Sequence, residues 1–500
     1  MEVQIPKKQV SCLRCMKMEV QTVEETQELR IPEQMPDVGR VLCTWGQVLL
    51  RSKEWRDGIM AASGGVMAWV LYMPEGESKQ LQTAQAWIPF QLKWTLPETK
   101  YDGTIHVFPL LQSIDARTTS ARKIVVRASV SVLGKAYVQD TREVCIPEEL
   151  PEHVYMMKNT YPLLLEREMG EKIFDLEEEL TLPASAPKIH EIIRFSLSPE
   201  LIDKKVLSGK VAFRGSALLH LLYADEAGEL NTWDFEIPFS QYAQLETDYE
   251  QEAQCRVSLA MTGLELDLEP DDKLRLKAGV TGQYMIYDTT FVTVGADAYS
   301  PDRQVSAQFE ELQVPTVLDM KQKTVPSELV LNQSASKILD VAFYPTQPVF
   351  RRSAETMELE LTGAYHVLYQ DEQLQMQGAS ARWHGKWELQ ASSNAAVEAV
   401  VCASGLPQAN NPSDQIILRS DVYVDSVSGM DSGIQMISTM EIGQPEEPNP
   451  DRPNLILRRK GKQTVWELAK LHGSTVDRIM LANGLEGEPE EGKLLLIPVL

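Results

Sequence analysis

The chain has few cysteines, a deficit of basic side chains and no long apolar run. Six cysteines in 500 residues are too few for a disulfide-stapled secreted domain, which favours a reducing compartment. The 72 acidic against 48 basic side chains give a net charge of −24, which disfavours nucleic-acid binding because that affinity comes largely from Lys and Arg. No window approaches the roughly 20 apolar residues of a transmembrane helix. We therefore predict a soluble protein without a transmembrane segment.

Export signals and common catalytic motifs are also missing from the sequence. The first eight residues, MEVQIPKK, carry an acid and a proline where a secretory signal has a basic and then an apolar region. There is no HExxH pair, Gly-x-Ser-x-Gly elbow, phosphate-binding loop or dinucleotide fingerprint. Residues 431–433 (DSG) match one half of an aspartic protease site, but the second half is missing, so we predict a turn there. We expect no catalytic residue, no cofactor and no enzymatic activity.

Cys12 and Cys15 have the CxxC spacing of half a zinc site or of a redox pair. A structural zinc site needs four ligands, and the sequence offers no second CxxC and no nearby pair of histidines. We therefore expect no metal and favour a reduced, poorly ordered N-terminal segment at residues 1–19. An intermolecular bond through these cysteines is a further alternative.

Three copies of one pattern recur at about the size of a domain, where 500 residues predict three or four domains. The first element reads ELRIP at 28–32, ELTLP at 179–183 and ELVLN at 328–332. The second reads WVLY at 69–72, HLLY at 220–223 and HVLY at 366–369. The third reads IVVRASV at 124–130, LRLKAGV at 274–280 and IILRSDV at 416–422. We place the three repeats at 20–145, 170–300 and 318–442.

Each copy has the period of a β-strand. Apolar residues occupy alternate positions in 274–280 and at Met357, Leu359 and Leu361, which indicates strands with one buried face. Short Val, Ile and Leu segments separated by Pro and Gly predict three tandem antiparallel β-sandwich-like repeats. In this part of the chain we expect few helices, and the better candidates are 147–157 and 171–179, between the copies.

One position is occupied by a flat ring in all three copies: Trp69, His220 and His366, each three residues before the Tyr of its copy. A catalytic histidine would not be exchanged for Trp, so packing on a half-buried strand is the favoured interpretation. The paired Trp and Tyr of each copy are likewise expected to anchor its core, with a ligand platform as the alternative.

The end of the chain changes in character. Residues 443–453 hold four prolines and no large apolar side chain, which predicts a stiff linker. Beyond it, helical spacing at 465–471 and 476–482 lies between the strand-like runs 455–457 and 494–497. We predict a small α+β (βααβ) domain over residues 454–500.

This last segment resembles a LysM domain. The resemblance rests on TVW at 464–466 with LA at 468–469, on NGL at 483–485, and on Pro489, Gly492 and the closing LLLIP at 494–498. The usual Gly-Asp before the Thr is replaced by Lys462 and Gln463, and in the family that turn forms part of the N-acetylglucosamine groove. The implied candidate site, a glycan groove or a partner surface, comprises Lys462, Gln463, Thr464, Val465, Trp466, Asn483, Gly484 and Leu485.

Acidic β repeats followed by a LysM segment resemble the SPOCS-domain (sporulation coat) family of SipL-like spore-coat morphogenetic proteins. The resemblance implies a scaffold whose LysM domain binds a coat basement-layer ATPase of the SpoIVA type. It also implies a location in the mother-cell cytoplasm at the forespore surface, in the spore coat. The alternative is a cell-wall protein that binds peptidoglycan or N-acetylglucosamine polymers, and a hydrolase with a LysM targeting arm is a third hypothesis.

Charge distinguishes the last segment from the rest. Residues 454–500 hold seven basic and six acidic side chains, a net charge of +1, which leaves −25 on the remainder. The basic corner at 458–462 is interpreted either as a surface that steers docking onto an acidic partner or as an ordinary solvated turn.

Overall fold

The computed structural model describes the whole chain except residues 77–79, 98–102, 148, 251, 271–272, 354–355, 390, 392–393, 413, 447–451 and 500. The described residues form 22 strands and two short helices, which confirms a mainly β fold. Among these residues, neither helix has the length and apolar character needed to span a membrane.

The strands group into three consecutive units of the same design. The first unit (residues 7–145) consists of β2 (Lys7–Arg30), β3 (Val38–Arg56), β4 (Ile59–Pro74), β5 (Gln82–Thr95), β6 (Thr104–Ser120) and β7 (Lys123–Cys145). The second unit (155–299) consists of β8 (Tyr155–Thr181), β9 (Glu191–Leu207), β10 (Lys210–Ala224), β11 (Leu230–Gln244), β12 (Gln254–Glu269) and β13 (Lys273–Tyr299). The third unit (303–445) consists of β14 (Arg303–Leu331), β15 (Lys337–Pro345), β16 (Val349–Arg352), β17 (Met357–Gln370), β18 (Met376–Leu389), β19 (Ala396–Asn410) and β20 (Ile416–Pro445).

Each unit holds two antiparallel sheets with one order of strands. The first, last and next-to-last strands form one sheet, which gives β2-β7-β6, β8-β13-β12 and β14-β20-β19. The intervening strands form the other sheet: β3-β4-β5, β9-β10-β11, and β17 with β15 and β16 on one edge and β18 on the other. The alternating residues Leu274, Leu276, Met357, Leu359 and Leu361 are all buried, as a strand with one core face requires.

The repeated Tyr has the same task in each unit. Tyr72 and Tyr223 donate their hydroxyl protons to the carbonyl oxygens of Pro36 and Pro187, and Tyr369 donates to the side chain of Gln333. In each case the acceptor precedes the Tyr by 36 residues, on the segment that leads into the second strand. The Tyr therefore fixes that connection to the central strand of the second sheet of its unit, which is β4, β10 or β17.

The units begin before the expected positions 20, 170 and 318, which fall inside β2, β8 and β14. The first strand of each unit pairs with the last along its whole length, in unit one from Lys7 opposite Cys145 to Arg30 opposite Lys123. Beyond the point where the next-to-last strand starts, this pair continues as a two-stranded ribbon. Residues 1–19 therefore belong to β1 (Glu2–Gln4) and β2 rather than to a poorly ordered segment, and β1 pairs with β20 of the third unit.

Three local predictions are wrong. Residues 171–179 lie in β8 instead of a helix, because the whole segment pairs with β13. The described part of 147–157 contains a turn closed by Val154 and Pro151 and the start of β8, with no helix. Residues 431–433 lie inside β20 and not in a turn. At 171–179 and 431–433, strand pairing with a distant segment overrides local propensity.

The three units meet around a common centre. One apolar cluster takes members from all of them: Leu13 and Tyr137 from the first unit, Met169, Met285 and Tyr287 from the second, and Val317 and Val427 from the third. The three ribbons form a second shared core, which includes Val10, Cys12, Val144, Leu163, Leu165, Val292, Val294, Leu312, Val314, Ile434 and Met436. The three units are therefore packed against one another and share apolar cores, unlike independent domains joined by linkers.

The last described segment is a C-terminal unit (residues 455–498) with the predicted order strand, helix, helix, strand. It consists of β21 (Leu455–Arg459), α1 (Val465–His472), α2 (Val476–Asn483) and β22 (Leu494–Pro498), with β21 and β22 antiparallel. Of the predicted linker 443–453, the first three residues belong to β20, and 447–451 lie outside the described residues.

Candidate functional site

The two helices of the C-terminal unit are short and depend on their caps. Thr464 caps α1 and forms a capping box with Glu467, and Gly473 ends the helix in the left-handed conformation. Thr475 caps α2, and Gly484 ends it with φ of +58°. Helices of eight residues are marginal alone, so these caps and the packing of Val465, Leu468 and Ile479 hold the unit together.

The first group of predicted site residues leads into α1. Gln463 accepts a hydrogen bond from the Arg458 guanidinium at 2.9 Å, so its side chain is tied to β21. The amide of buried Val465 donates to the Glu488 carboxylate at 2.9 Å. Lys462 and the cap Thr464 are exposed.

The second group lies at the C-terminal end of α2. The Asn483 amide nitrogen donates to the carbonyl oxygens of Ile479 and Leu496, and its side-chain oxygen accepts from the Leu496 amide at 2.7 Å. These bonds fasten the end of α2 to β22. Gly484 is the cap residue, and Leu485 packs against the core of the unit. Most of the predicted site residues therefore also hold the local fold together.

Trp466 contacts the second unit. Its indole N–H donates to the Asp297 carboxylate at 2.9 Å, and its ring packs edge-on against Tyr299 with the centroids 4.8 Å apart. The Lys470 ammonium lies 2.6 Å from the other oxygen of Asp297, and the Tyr299 hydroxyl donates to the carbonyl oxygen of Ser474. This contact, which we call the docking contact, seats α1 on the end of the β8–β13 ribbon.

Electrostatics supports the docking contact. Partial burial alone would raise the pKa of Asp297, but the hydrogen bonds from Lys470 and Trp466 lower it below its usual value. Sequence reasoning missed Asp297 and Tyr299 because they lie about 170 residues from their partners. No local pattern marks them, and an unpaired acidic residue near the end of a strand is an ordinary feature of so acidic a chain.

The basic corner at 458–462 is divided between internal and exposed groups. Arg458 bonds to Gln463 and to the His472 ring, and burial together with the charges of Arg458 and Arg452 lowers the pKa of that histidine. Lys460 is buried and lies 3.4 Å from Glu488. Arg459 and Lys462 are exposed and remain accessible to a partner.

Trp69, His220 and His366, which occupy the same position of the repeat, lie where one unit contacts another. Trp69 of the first unit packs edge-on against Phe195 of the second, 5.1 Å between ring centroids. His220 of the second unit lies 2.8 Å from Asp340 of the third, and also 2.6 Å from Asp234 of its own unit. His366 of the third unit is buried near the backbone of Thr44 in the first, and burial lowers its pKa to about 4. The favoured packing role is thus realised between units.

A buried ion pair accompanies His220. The Arg194 guanidinium makes two hydrogen bonds to Asp340, at 2.7 and 2.8 Å, and both side chains are almost fully buried. Burial alone would raise the pKa of Asp340, but Arg194 and His220 lower it far below its usual value. Strand register shows Cys43 at the matching position of the first unit, because Cys43, Arg194 and Asp340 lie opposite Leu71, Leu222 and Leu368.

A second buried polar cluster joins all three units. Glu398 of the third unit binds Lys135 of the first at 2.8 Å and Arg256 of the second. Arg256 and Lys204 also face Asp425, at 3.2 and 3.3 Å. Burial alone would raise the pKa of Glu398, but the two cations lower it to about 2. These residues hold the units in register, and nothing in the sequence pattern predicted them.

Cys12 and Cys15 lie on β2, opposite Asp140 and Tyr137 of β7. Cys12 is buried, whereas Cys15 is exposed. Burial raises the pKa of the Cys12 thiol, which lowers its reactivity. Within the described part of the chain, no three His, Cys, Asp or Glu side chains are grouped to hold a metal ion.

Residues 188–269 match the family model described as SipL, SPOCS domain. The match covers β9 to β12 and the segment leading into β9, so it lies within the second unit and supports the predicted SPOCS relationship and a sporulation-related role. No curated protein and no solved structure matches the chain.

Proposed function

We propose that the chain is a non-enzymatic scaffold for spore-coat assembly, and that its C-terminal unit is a LysM domain that binds a coat basement-layer ATPase of the SpoIVA type. Through that contact it is held at the forespore surface in the mother cell. The observation that carries the proposal is the SPOCS-domain match, together with the recurrence of the same strand order in all three units.

The arrangement of the molecule suits a scaffold. The three β units are held together by buried charge pairs between them. The C-terminal unit adds a separate surface whose net charge is close to zero. Several surfaces on one body make later contacts intramolecular, so individually weak interfaces can hold a layer together.

Glycan binding is the second candidate, because Lys462 and Thr464 remain exposed beside the start of α1. Against it, Trp466 faces the second unit and Gln463 is bonded to Arg458, so part of the predicted groove is occupied by internal contacts. Each candidate predicts a different ligand for the full chain.

The test is a pull-down with the full chain and with a chain ending at residue 446. Insoluble peptidoglycan or chitin is compared with a lysate of sporulating cells, and captured proteins are identified by mass spectrometry. We expect the full chain to retain the SpoIVA-type ATPase and no glycan, and the shortened chain to retain neither. Saturable glycan binding without a coat protein would overturn the proposal in favour of a wall-binding protein.

Recruitment in cells gives an independent test. Deleting residues 454–500 should abolish localisation of a fluorescent fusion to the forespore, while circular dichroism shows that the three β units stay folded. Unaltered localisation of the shortened chain would contradict the proposed role of the C-terminal unit.

A further inference from the structure

One face of the sheet in the C-terminal unit is apolar and open to solvent. Leu455 and Leu457 of β21 and Leu494 and Leu496 of β22 expose 53, 60, 54 and 36% of their surface. Register places Leu457 directly opposite Leu496, and Arg459 directly opposite Leu494. Cross-strand partners lie on the same side of a sheet, so these side chains form one continuous surface, the leucine face.

Two other surfaces of the C-terminal unit are already covered within the chain. The other face of the sheet, with Leu495 and Ile497, is fully buried against the helices. The docking contact uses Trp466 and Lys470 of α1 to bind the second unit. The leucine face therefore stays accessible in the assembled chain, whereas Gln463 and Trp466 of the groove predicted from the sequence are held by internal contacts.

Two exposed cations accompany the leucine face. Arg459 lies on the face itself, and exposed Lys493 precedes Leu494. The three β units carry most of the chain's negative charge, so these two cations stand out from the rest of the molecule. A partner that covers the leucines and complements this charge has acidic side chains beside its apolar ones.

The size of the face argues against pairing with a second copy. Four partly exposed leucines offer an area on the order of a few hundred Å², well below the roughly 800 Å² per partner of a stable interface. Face-to-face pairing of two copies would also bring Arg459 and Lys493 of one chain towards those of the other. The face is large enough for one helix, because three rows of residues along a strand span about 13 Å, close to two and a half helical turns.

We infer that the leucine face is the surface by which the C-terminal unit recognises its protein partner, and that the occupant is an amphipathic helix with acidic residues beside its apolar stripe. The inference rests on the proposed function, since it locates the partner surface of that same unit. Apolar anchors at helical spacing would contact the leucines, and the acids would pair with Arg459 and Lys493.

The test uses the full chain and two synthetic helical peptides with the same leucine stripe, one flanked by Glu and the other by Lys. Binding is measured by fluorescence anisotropy at low and at physiological salt. We expect saturable binding of the Glu peptide alone, weakened by salt, and reduced at least tenfold by the double change Leu457→Glu and Leu496→Glu. Arg459→Glu should weaken the Glu peptide severalfold and improve binding of the Lys peptide.

Leu481→Glu is the matched control, because Leu481 is an 85% exposed leucine on α2 outside the leucine face. It should bind the Glu peptide as the wild type does, and circular dichroism should show all variants folded. The inference is overturned if neither peptide binds, if both bind equally, or if the double variant binds normally. A wild-type dimer that the double variant abolishes would instead assign the face to a second copy.

The pull-down described above separates this inference from the proposed function. If the wild-type chain retains no coat protein, the proposed function fails whatever the peptides do. If it retains the coat protein and the double variant retains equally much, only the leucine face is wrong as the partner surface.

Discussion

At the scale of single residues, the contacts between units depend on buried charges that have partners only across the junction. Asp340 binds Arg194 and His220 of the neighbouring unit inside the protein. Removing one partner of a buried pair leaves the other charge uncompensated, which typically costs about 3–5 kcal/mol. We therefore expect Asp340→Asn to lower the free energy of unfolding by that amount, as measured by urea denaturation.

The matched control is Glu328→Gln, because Glu328 of β14 and Arg419 of β20 form an ion pair that is exposed to solvent. Exposed pairs contribute about 0–1 kcal/mol, so this change should have little effect. Equal effects of the two substitutions would show that the Asp340 contact does not hold the units together.

Glu166 makes the free energy of unfolding depend on pH. Burial and the nearby Glu398 raise its pKa from 4.5 to about 8. Between these pH values the folded chain keeps a proton that the unfolded chain has lost, so this group makes stability fall as pH rises from about 4.5 to 8. Glu166→Gln, which mimics the protonated form, should match the wild type at pH 5 and exceed it at pH 9 by on the order of 1 kcal/mol or more.

Urea denaturation of both proteins at the two pH values checks this. If the difference in free energy of unfolding between the wild type and Glu166→Gln is the same at pH 5 and at pH 9, Glu166 does not hold a proton in the folded chain. The same experiment on Glu328→Gln supplies the reference for an exposed carboxylate.

Residue-level prediction from sequence succeeded where the repeat made positions comparable. The alignment of Trp69, His220 and His366 identified a packing position, but the partners Phe195, Asp340 and Thr44 belong to other units. Which side chains meet across a junction depends on how the units pack, and no spacing within one unit encodes that.

At the scale of elements, the docking contact fixes α1 to the β8–β13 ribbon. Asp297→Ala removes the acceptor for both Trp466 and Lys470, so we expect α1 to open more often. Hydrogen exchange followed by mass spectrometry should show faster exchange in residues 465–472, with the strands of the three units unchanged.

Asp267→Ala is the control for that experiment, because Asp267 is an exposed acid on β12 away from the contact. Exchange in α1 should stay at the wild-type rate in this variant. If Asp297→Ala also leaves it unchanged, the helix is held by its own caps and the docking contact contributes nothing measurable.

Strands with alternating apolar residues were predictable, and Glu-rich strands were not. The segment 171–179 (EKIFDLEEE) has high helix propensity, yet Phe174 and Leu176 are buried and every residue pairs with β13. The order of elements in the C-terminal unit was predictable because its two helices carry both apolar periodicity and capping residues.

At the scale of the whole molecule, the shared cores should make the three units unfold together. The isolated second unit (155–299) would expose Arg194 and Arg256 without the acidic partners that the third unit supplies. We expect this fragment to be far less stable than a chain of residues 1–446, which should unfold in one calorimetric transition.

Calorimetry of both proteins decides this. Three separate transitions in the longer chain, or a second unit as stable alone as within it, would mean that the junctions add little stability. Removal of residues 447–500 should leave the main transition in place, because the shared cores of the three units include no residue of that segment.

The sequence pattern predicts three repeats, but it carries no information about their mutual arrangement. A period of about 150 residues identifies corresponding positions in the three copies. The arrangement around a common centre comes from buried side chains such as Lys135 and Glu398, which lie more than 260 residues apart and look like ordinary surface charges in the sequence.

The matching positions Cys43, Arg194 and Asp340 have one more consequence. A homotrimer of identical subunits would bring three copies of one side chain to its axis, so an arginine there would meet two arginines and an aspartate two aspartates. Three copies fused in one chain can differentiate independently, and a cation and an anion can then neutralise each other at a site where symmetry would forbid it. Because the three units belong to one chain, this position can hold a thiol, a cation and an anion, whereas a symmetric homotrimer would hold three identical side chains there.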